Sequence, residues 1–157
     1  MNATNGVLMV IGSALRIYRE YLLRSAAARA RSAGLRLVLI NNLKPTWQRG
    51  YVEETVVADI FDYDTLLGAA RQVAGRRSVV GVMCADEPLV MHAAGVAAEF
   101  GVPGLSVPGA AACRDKQNAR TRLTAAGLRQ PAFEMTTTLE QARAAAARIG
   151  FPVGVKP

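Results

Sequence analysis

Histidine and tryptophan each occur once in these 157 residues and cysteine twice, and each scarcity removes a class of function. Cys84 and Cys113 stand 29 positions apart, and His92 is the lone imidazole. That pattern is neither a zinc site nor a disulfide framework, so no metal ligands are expected here and a reducing cytoplasm is the expected compartment. Long apolar runs are missing too. The longest near the N-terminus, Val7 to Ile11, falls far short of the roughly 20 residues of a membrane-crossing helix. No basic-then-apolar leader with a small-residue cleavage site is present, so neither a secretory signal nor a membrane partner is expected.

Acidic residues are scarce at both ends. Residues 1–50 carry eight Lys/Arg against Glu20 alone, residues 51–112 carry three against eight acids, and residues 113–157 carry eight against three. The net charge of +7 is therefore split by an acidic middle and makes no uniform polycationic surface. Interleaved aromatics and helix-turn-helix or RNA-binding signatures are absent as well, which argues against nucleic acid as a partner. The Arg-rich, acid-poor start resembles a transit peptide in composition, but its arginines follow a strand-like run inside a βαβ pattern. With 51% hydrophobic and 20% charged residues the chain is globular rather than disordered.

What is present alternates. "VLMVIG" (7–12) is a short apolar run ending at glycine, as a buried strand would be. The stretch that follows has helical spacing, with Leu15, Tyr18, Leu22, Ala26 and Ala30 on one side and Gly34 placed to end it. Further strands are expected at 35–41, 54–59 and 78–86. A helix over 63–75 would be capped by Asp62 or Asp64, and another opens at Pro88 and closes at Gly101. "VPGLSVPG" reads as a short strand and turn. Strands alternating with amphipathic helices predict an α/β, Rossmann-like parallel sheet over residues 1–110. From 111 to 157 the alternation lapses, which marks a second domain. It holds one or two helices beginning near Asp115, an extended "RQPAFEMTTT", an alanine-rich helix capped by Thr138 and ended by Gly150, and a strand over 152–157.

Ligands of such sheets bind at the strands' carboxyl ends. Gly12-Ser13 stands at the first such end, but "VIGSALRIYR" lacks the G-x-G-x-x-G of a dinucleotide site and reads as a tight βα turn. Asp86 and Glu87, where the fourth strand meets its helix, suit a substrate ammonium or the positive end of the helix dipole. His92, with no paired carboxylate, is read as a packed or surface residue. Lys116 follows Asp115 at a helix start. Lys156, in an apolar strand, must snorkel, pair with an anion, or lie exposed at a chain end.

The order of these features resembles a known family. A Rossmann-like domain is followed by "EPLVMHAAGVAAEFGVPGLSVPGAAACRDKQNARTRLTAAGLRQPAF", an alanine-rich helix and "IGFPVGVKP". This resembles the N-terminal part of ATP-grasp enzymes, most of all the carboxylate–amine (amino-acid) ligases and their biotin carboxylase relatives. The resemblance covers essentially the whole chain and is densest from Glu87 onward. It implies a pre-ATP-grasp domain followed by an incomplete ATP-grasp N-lobe. Lys116 matches the lysine of the family's Asp-Lys pair, and Lys156 the lysine of the strand before its glycine-rich loop. Both family positions contact ATP phosphates. Arg120, one helical turn beyond Lys116, is a weaker phosphate candidate, and no residue is assigned a catalytic role. Gly154 departs from the larger apolar residue of many relatives.

The resemblance further implies a Mg-ATP-dependent ligase that activates a small carboxylate or amino acid as an acyl phosphate for attack by an amine. The glycine-rich loop, the adenine-holding strand and the magnesium ligands would lie beyond residue 157. The chain is therefore expected to be a fragment, inactive alone, whose unfinished lobe invites homodimerisation. A non-catalytic nucleotide- or ligand-binding α/β module is the alternative.

Overall fold

The computed structural model describes residues 6–156. Two compact units divide after Ala111. In the first, β1 (Gly6–Ile11), α1 (Arg16–Ser32) and β2 (Arg36–Asn41) are followed by a 3-10 turn at Trp47–Gly50 and by β3 (Glu54–Val57). Next come α2 (Tyr63–Ala74), β4 (Ser78–Cys84), a 3-10 turn at Glu87–Leu89 and α3 (Val90–Phe100), and α4 spans Val107–Arg114. The second unit holds α5 (Lys116–Ala125) and α6 (Leu139–Ile149). The expected α/β class with a parallel sheet is what the structure has.

The strands lie in the order β3-β2-β1-β4, all parallel. Side chains alternate across a strand, so each strand feeds both faces of the sheet. Val7, Met9 and Ile11 of β1, with Val38 and Ile40 of β2, pack on Leu66, Ala70 and Val73 of α2 and on Val96 and Ala97 of α3. The intervening Val10, with Leu37 and Leu39, packs on Leu23, Ala27 and Ala30 of α1. Burial on both faces is why β1 and β2 are nearly continuous apolar runs.

Several helix ends follow local chemistry. Asp62 caps α2, accepting from the Thr65 N–H at 2.8 Å. Asp115 caps α5 through the Asn118 N–H at 3.0 Å, and Thr138 caps α6 through Gln141 N–H at 3.2 Å. In each case a short polar side chain takes one of the donors the first turn leaves unpaired.

Three expectations are corrected. The buried stripe of α1 is Leu23, Ala27 and Ala30; Leu15 and Tyr18 are exposed, so the inward face of its first turns is not the one their spacing suggested. The segment after α3 forms no strand, although Val82 N–H donates to Pro103 O at 2.9 Å along the edge of β4. Pro103 has no N–H to return to the ladder. Residues 152–156 are irregular and largely exposed, because none of the four strands pairs with them and a strand without a ladder leaves its backbone unpaired. Pro157, the last residue of that expected strand, lies outside the described residues.

Leu66 is fully buried between sheet and helices. Leu66→Ala should cost about 2–5 kcal/mol in urea unfolding. Ile17→Ala, at an 80% exposed position, should change stability by no more than about 0.5 kcal/mol.

Candidate functional site

Strand order reverses at β1. The chain moves from β1 through α1 to β2 on one side, while β4 pairs with β1 on the other. α1 covers one face and α2 and α3 the other, so the chain leaves β1 and β4 toward opposite faces of the sheet, the topological switch at which parallel sheets bind their ligands. The loop after β1 opens with Gly12 at φ +72° and continues through Ala14 at φ +40°. Gly12 is required for two reasons. Its backbone is left-handed, and a Cβ there would stand 2.7 Å from both Asp86 Oδ2 and Leu89 Cδ1. Ala14, a residue with a Cβ in the left-handed region, is a local strain that its surroundings must hold.

A buried polar network holds this loop. Gln48 Nε2 donates to Ser13 Oγ at 2.9 Å, and Ser13 Oγ lies 3.4 Å from Asn41 Oδ1, to which it donates. The other ends are satisfied by backbone: Thr46 N–H donates to Gln48 Oε1 at 2.8 Å, and Asn41 Nδ2 to Leu43 O at 3.1 Å. A fully satisfied network of this kind rigidifies what it touches. On the other bank, Arg19 Nε donates to Asp86 Oδ1 at 3.0 Å, across 67 residues of sequence. Further out, Arg16 forks onto Glu20 at 2.8 and 3.0 Å, and Tyr51 OH donates to the same carboxylate at 2.9 Å. The Arg16 hydrogen bonds, then that of Tyr51, hold the Glu20 carboxyl below its ordinary range, and the Glu20 bond raises the Tyr51 phenol in return.

Of the residues singled out in the sequence, Asp86 is 8% exposed and lies in the loop after β4 at this switch point, while Glu87 beside it is exposed. Asp86 stands at the N-cap position of the turn that follows but makes no capping hydrogen bond to it; its Oδ1 accepts from Arg19. Gly12-Ser13 is the tight βα turn its sequence suggested. His92 is half-buried and places Nδ1 3.1 Å from Ile60 O, with its ring 5.5 Å from that of Tyr63, a packed residue. In the second unit, Lys116 opens α5 directly after its cap Asp115, and Lys156 lies in the irregular 152–156 segment. Both are exposed, and neither has an ion-pair partner among the described residues. Arg120 is half-buried, its guanidinium 5.4 Å from the Phe133 ring centroid and its Nη1 3.4 Å from Gln130 Oε1.

Sequence reasoning missed Arg19, Asn41 and Gln48. Asn41 carried a faint signal, as a polar residue closing an apolar strand. Nothing local marked the other two, whose partners are distant in sequence.

Two cavities lie apart from the loop after β1. One of about 290 Å³ is lined by Ala27, Arg31, Arg36, Tyr51 and Glu53. The other, about 310 Å³, is apolar and includes Cys84. Burial pushes the Cys84 thiol up to about 11, against the weaker opposing effect of its hydrogen bond to Asp86 O.

Two expectations follow for this region. Gly12→Ala should destabilise the chain by at least about 1 kcal/mol in urea unfolding, whereas Ala14→Gly should not. At pH 8 iodoacetamide should label the exposed Cys113 and leave Cys84 unmodified until unfolding, because only on the order of one Cys84 in a thousand is then thiolate. Peptide mass mapping over time reads both rates.

No family model matches the chain. Among curated proteins, the uncharacterized protein y4rH of Sinorhizobium fredii is 28% identical over 104 residues, 66% of this chain and 22% of that protein. Among solved structures, an L-amino acid ligase from Bacillus licheniformis aligns with a TM-score of 0.69 at 26% identity, covering 88% of this chain and 34% of the ligase. An N5-carboxyaminoimidazole synthetase from Staphylococcus aureus, complexed with ADP, aligns with a TM-score of 0.71 at 16% identity over 94% of this chain and 37% of the enzyme. The chain thus spans about a fifth of that curated relative and about a third of the solved enzymes. Over most of its length the chain carries the fold of the N-terminal portion of ATP-grasp ligases, the family its sequence resembles.

Proposed function

We propose that this chain serves an ATP-dependent carboxylate–amine ligase acting on a small carboxylate or amino acid. The observation that carries this reading is the alignment of 88% of the chain with an L-amino acid ligase at 26% identity. In such a reaction ATP supplies the phosphoryl group that converts a carboxylate into an acyl phosphate, which an amine then displaces. The work of this chain is to bind and to orient.

Lys116 and Lys156 are assigned to the ATP phosphates. Their ammonium groups are exposed and have no ion-pair partner among the described residues, which suits a polyanion whose charge spreads over its oxygens during transfer. Arg120, partly engaged by Phe133 and Gln130, is a weaker third contact. Asp86 and Glu87 are assigned to the substrate, at the switch point where parallel sheets bind their ligands. For Mg2+ the fit fails within the described residues. Among the described residues no three His, Cys, Asp or Glu come together as a metal-binding group, so no step here is routed through the ion.

The test is made on the protein as produced from its own gene. With Mg-ATP and pairs of amino acids it should release phosphate only when both a carboxylate and an amine are supplied. Lys116→Ala and Lys156→Ala should each raise the KM for ATP by about tenfold or more, the worth of one charge-assisted hydrogen bond. Unchanged KM in both variants removes their assignment. The isolated 157-residue chain should bind ATP more weakly than micromolar, and tighter binding would mean that adenine is also held within it.

A further inference from the structure

The cavity of about 290 Å³ lies at the other end of the sheet from Gly12 and Asp86. Ala27 and Arg31 line it from α1, Arg36 and Leu37 from the start of β2, and Tyr51 and Glu53 from the segment that enters β3. The six residues of β2 separate it from the strands' carboxyl ends by roughly 16–20 Å. Three charged side chains line this cavity, and they do not balance. Glu53, the one acid, is already served by Arg77, whose Nη2 donates to its Oε1 at 2.8 Å. Arg36 comes only within 3.5 Å of the other carboxylate oxygen and makes no hydrogen bond to a described residue. Arg31 has no partner of any kind among the described residues.

An arginine in the last turn of a helix ordinarily serves the helix carbonyls. Here the backbone has taken them. Ala33 N–H donates to Arg29 O at 3.1 Å, Gly34 N–H to Arg31 O at 3.0 Å, and Leu35 N–H to Ala30 O at 2.8 Å. Arg29 stands in the same turn and does not line the cavity. Two guanidinium groups with free donor edges therefore share one concave surface whose only acid is engaged elsewhere.

We propose that this cavity binds a small phosphate monoester, with Arg31 and Arg36 on the phosphate. One guanidinium fork fills the two oxygens of a carboxylate, whereas a phosphate monoester offers three terminal oxygens and two charges to two forks. The volume points to an organic group beside the phosphate. It lies at the lower end of the roughly 300–1,000 Å³ of small-molecule sites and exceeds what a bare phosphate fills. Ala27 and Leu37, each 2% exposed, give that group an apolar contact, and the Tyr51 ring is held for it through the hydrogen bond to Glu20. The site is separate from the one assigned to the ligase substrates and stands without that reading.

The test needs neither ATP nor turnover. Phenyl phosphate is titrated into the 157-residue chain at about 0.15 M salt. The emission of Trp47, the one tryptophan and the first residue of the turn that leads to the cavity, is followed with the 15N resonances of the Arg31 and Arg36 Nε–H groups. All three should change saturably at millimolar ligand. Inorganic phosphate, which lacks the ring, and benzenesulfonate, which lacks the second charge, should bind more weakly. Arg31→Gln and Arg36→Gln should each weaken binding by at least about tenfold, the worth of one charge-assisted hydrogen bond, and Arg29→Gln should not. Both lining arginines are exposed, so the variants should keep the fold; should one unfold, the other decides. The proposal is overturned if phenyl phosphate gives no saturable change, if inorganic phosphate binds as tightly, or if Arg29→Gln weakens binding as much as the lining variants do. Binding to phosphatidic acid vesicles that Arg31→Gln abolishes, with no response to phenyl phosphate, would assign the arginines to a lipid surface and overturn it as well.

Discussion

Burial of β1 on both faces is the constraint from which the rest of the first unit follows. Its odd residues face α2 and α3 and its even ones face α1, so no side chain of the strand is free to be polar. Chemistry can enter only where the strand stops. There the chain must leave the sheet sharply enough for α1 to fold back over β2, and Gly12 in a left-handed conformation makes that exit. The same exit brings the backbone under Asp86 from the end of β4, because β4 pairs with β1 in register up to Ile11 and Cys84. The position of the carboxylate is therefore a consequence of sheet pairing and not of its own loop.

The polar network beyond this point answers a cost the fold creates. No helix joins β2 to β3; a loop with one 3-10 turn crosses there instead, and its Gln48 is carried inward over the end of the sheet. A buried amide unpaired at that depth would cost about 1–3 kcal/mol. Ser13 Oγ and the Thr46 N–H satisfy it, and Ser13 is held in turn by Asn41, so the network ties down the loop that carries the strained Ala14. Strain held in this way is the usual condition of a loop that presents backbone and side chains to a ligand.

How much of this was legible in the sequence depended on the range of the interaction. Asp62, Asp115 and Thr138 were readable as caps because the group each serves lies three residues away. Strands β1 and β2 were readable because two-sided burial leaves an unbroken apolar run. The register of α1 was not. Its first turns combine exposed Leu15, Ile17, Tyr18 and Tyr21 with a buried stripe of one leucine and two alanines, so hydrophobicity pointed away from the face that packs. The expected strand does not form over 152–156 for a complementary reason: apolar β-branched residues favour a pleated surface, but a neighbouring ladder has to exist before the preference counts. Lys116 and Lys156 stood out by their setting, one at a helix start and one in an apolar run, but their phosphate role entered through resemblance; both are exposed in the structure.

The Arg19–Asp86 pair marks the limit of such reading. Arg19 is one of five arginines on a helix with a single acid, and by composition it is indistinguishable from solvated surface. Asp86 had two local readings, a substrate ammonium or the dipole of the turn it precedes, and neither pointed to an arginine 67 residues away. Only closure of the sheet, which puts the end of β4 beside the start of α1, makes them partners. Once paired, neither is saturated. An arginine with a free edge and a buried aspartate with a free oxygen make a poor structural bridge, because either could have been replaced by an apolar pair without desolvation cost. What the pair does fix is the position of the first turns of α1 against the end of β4.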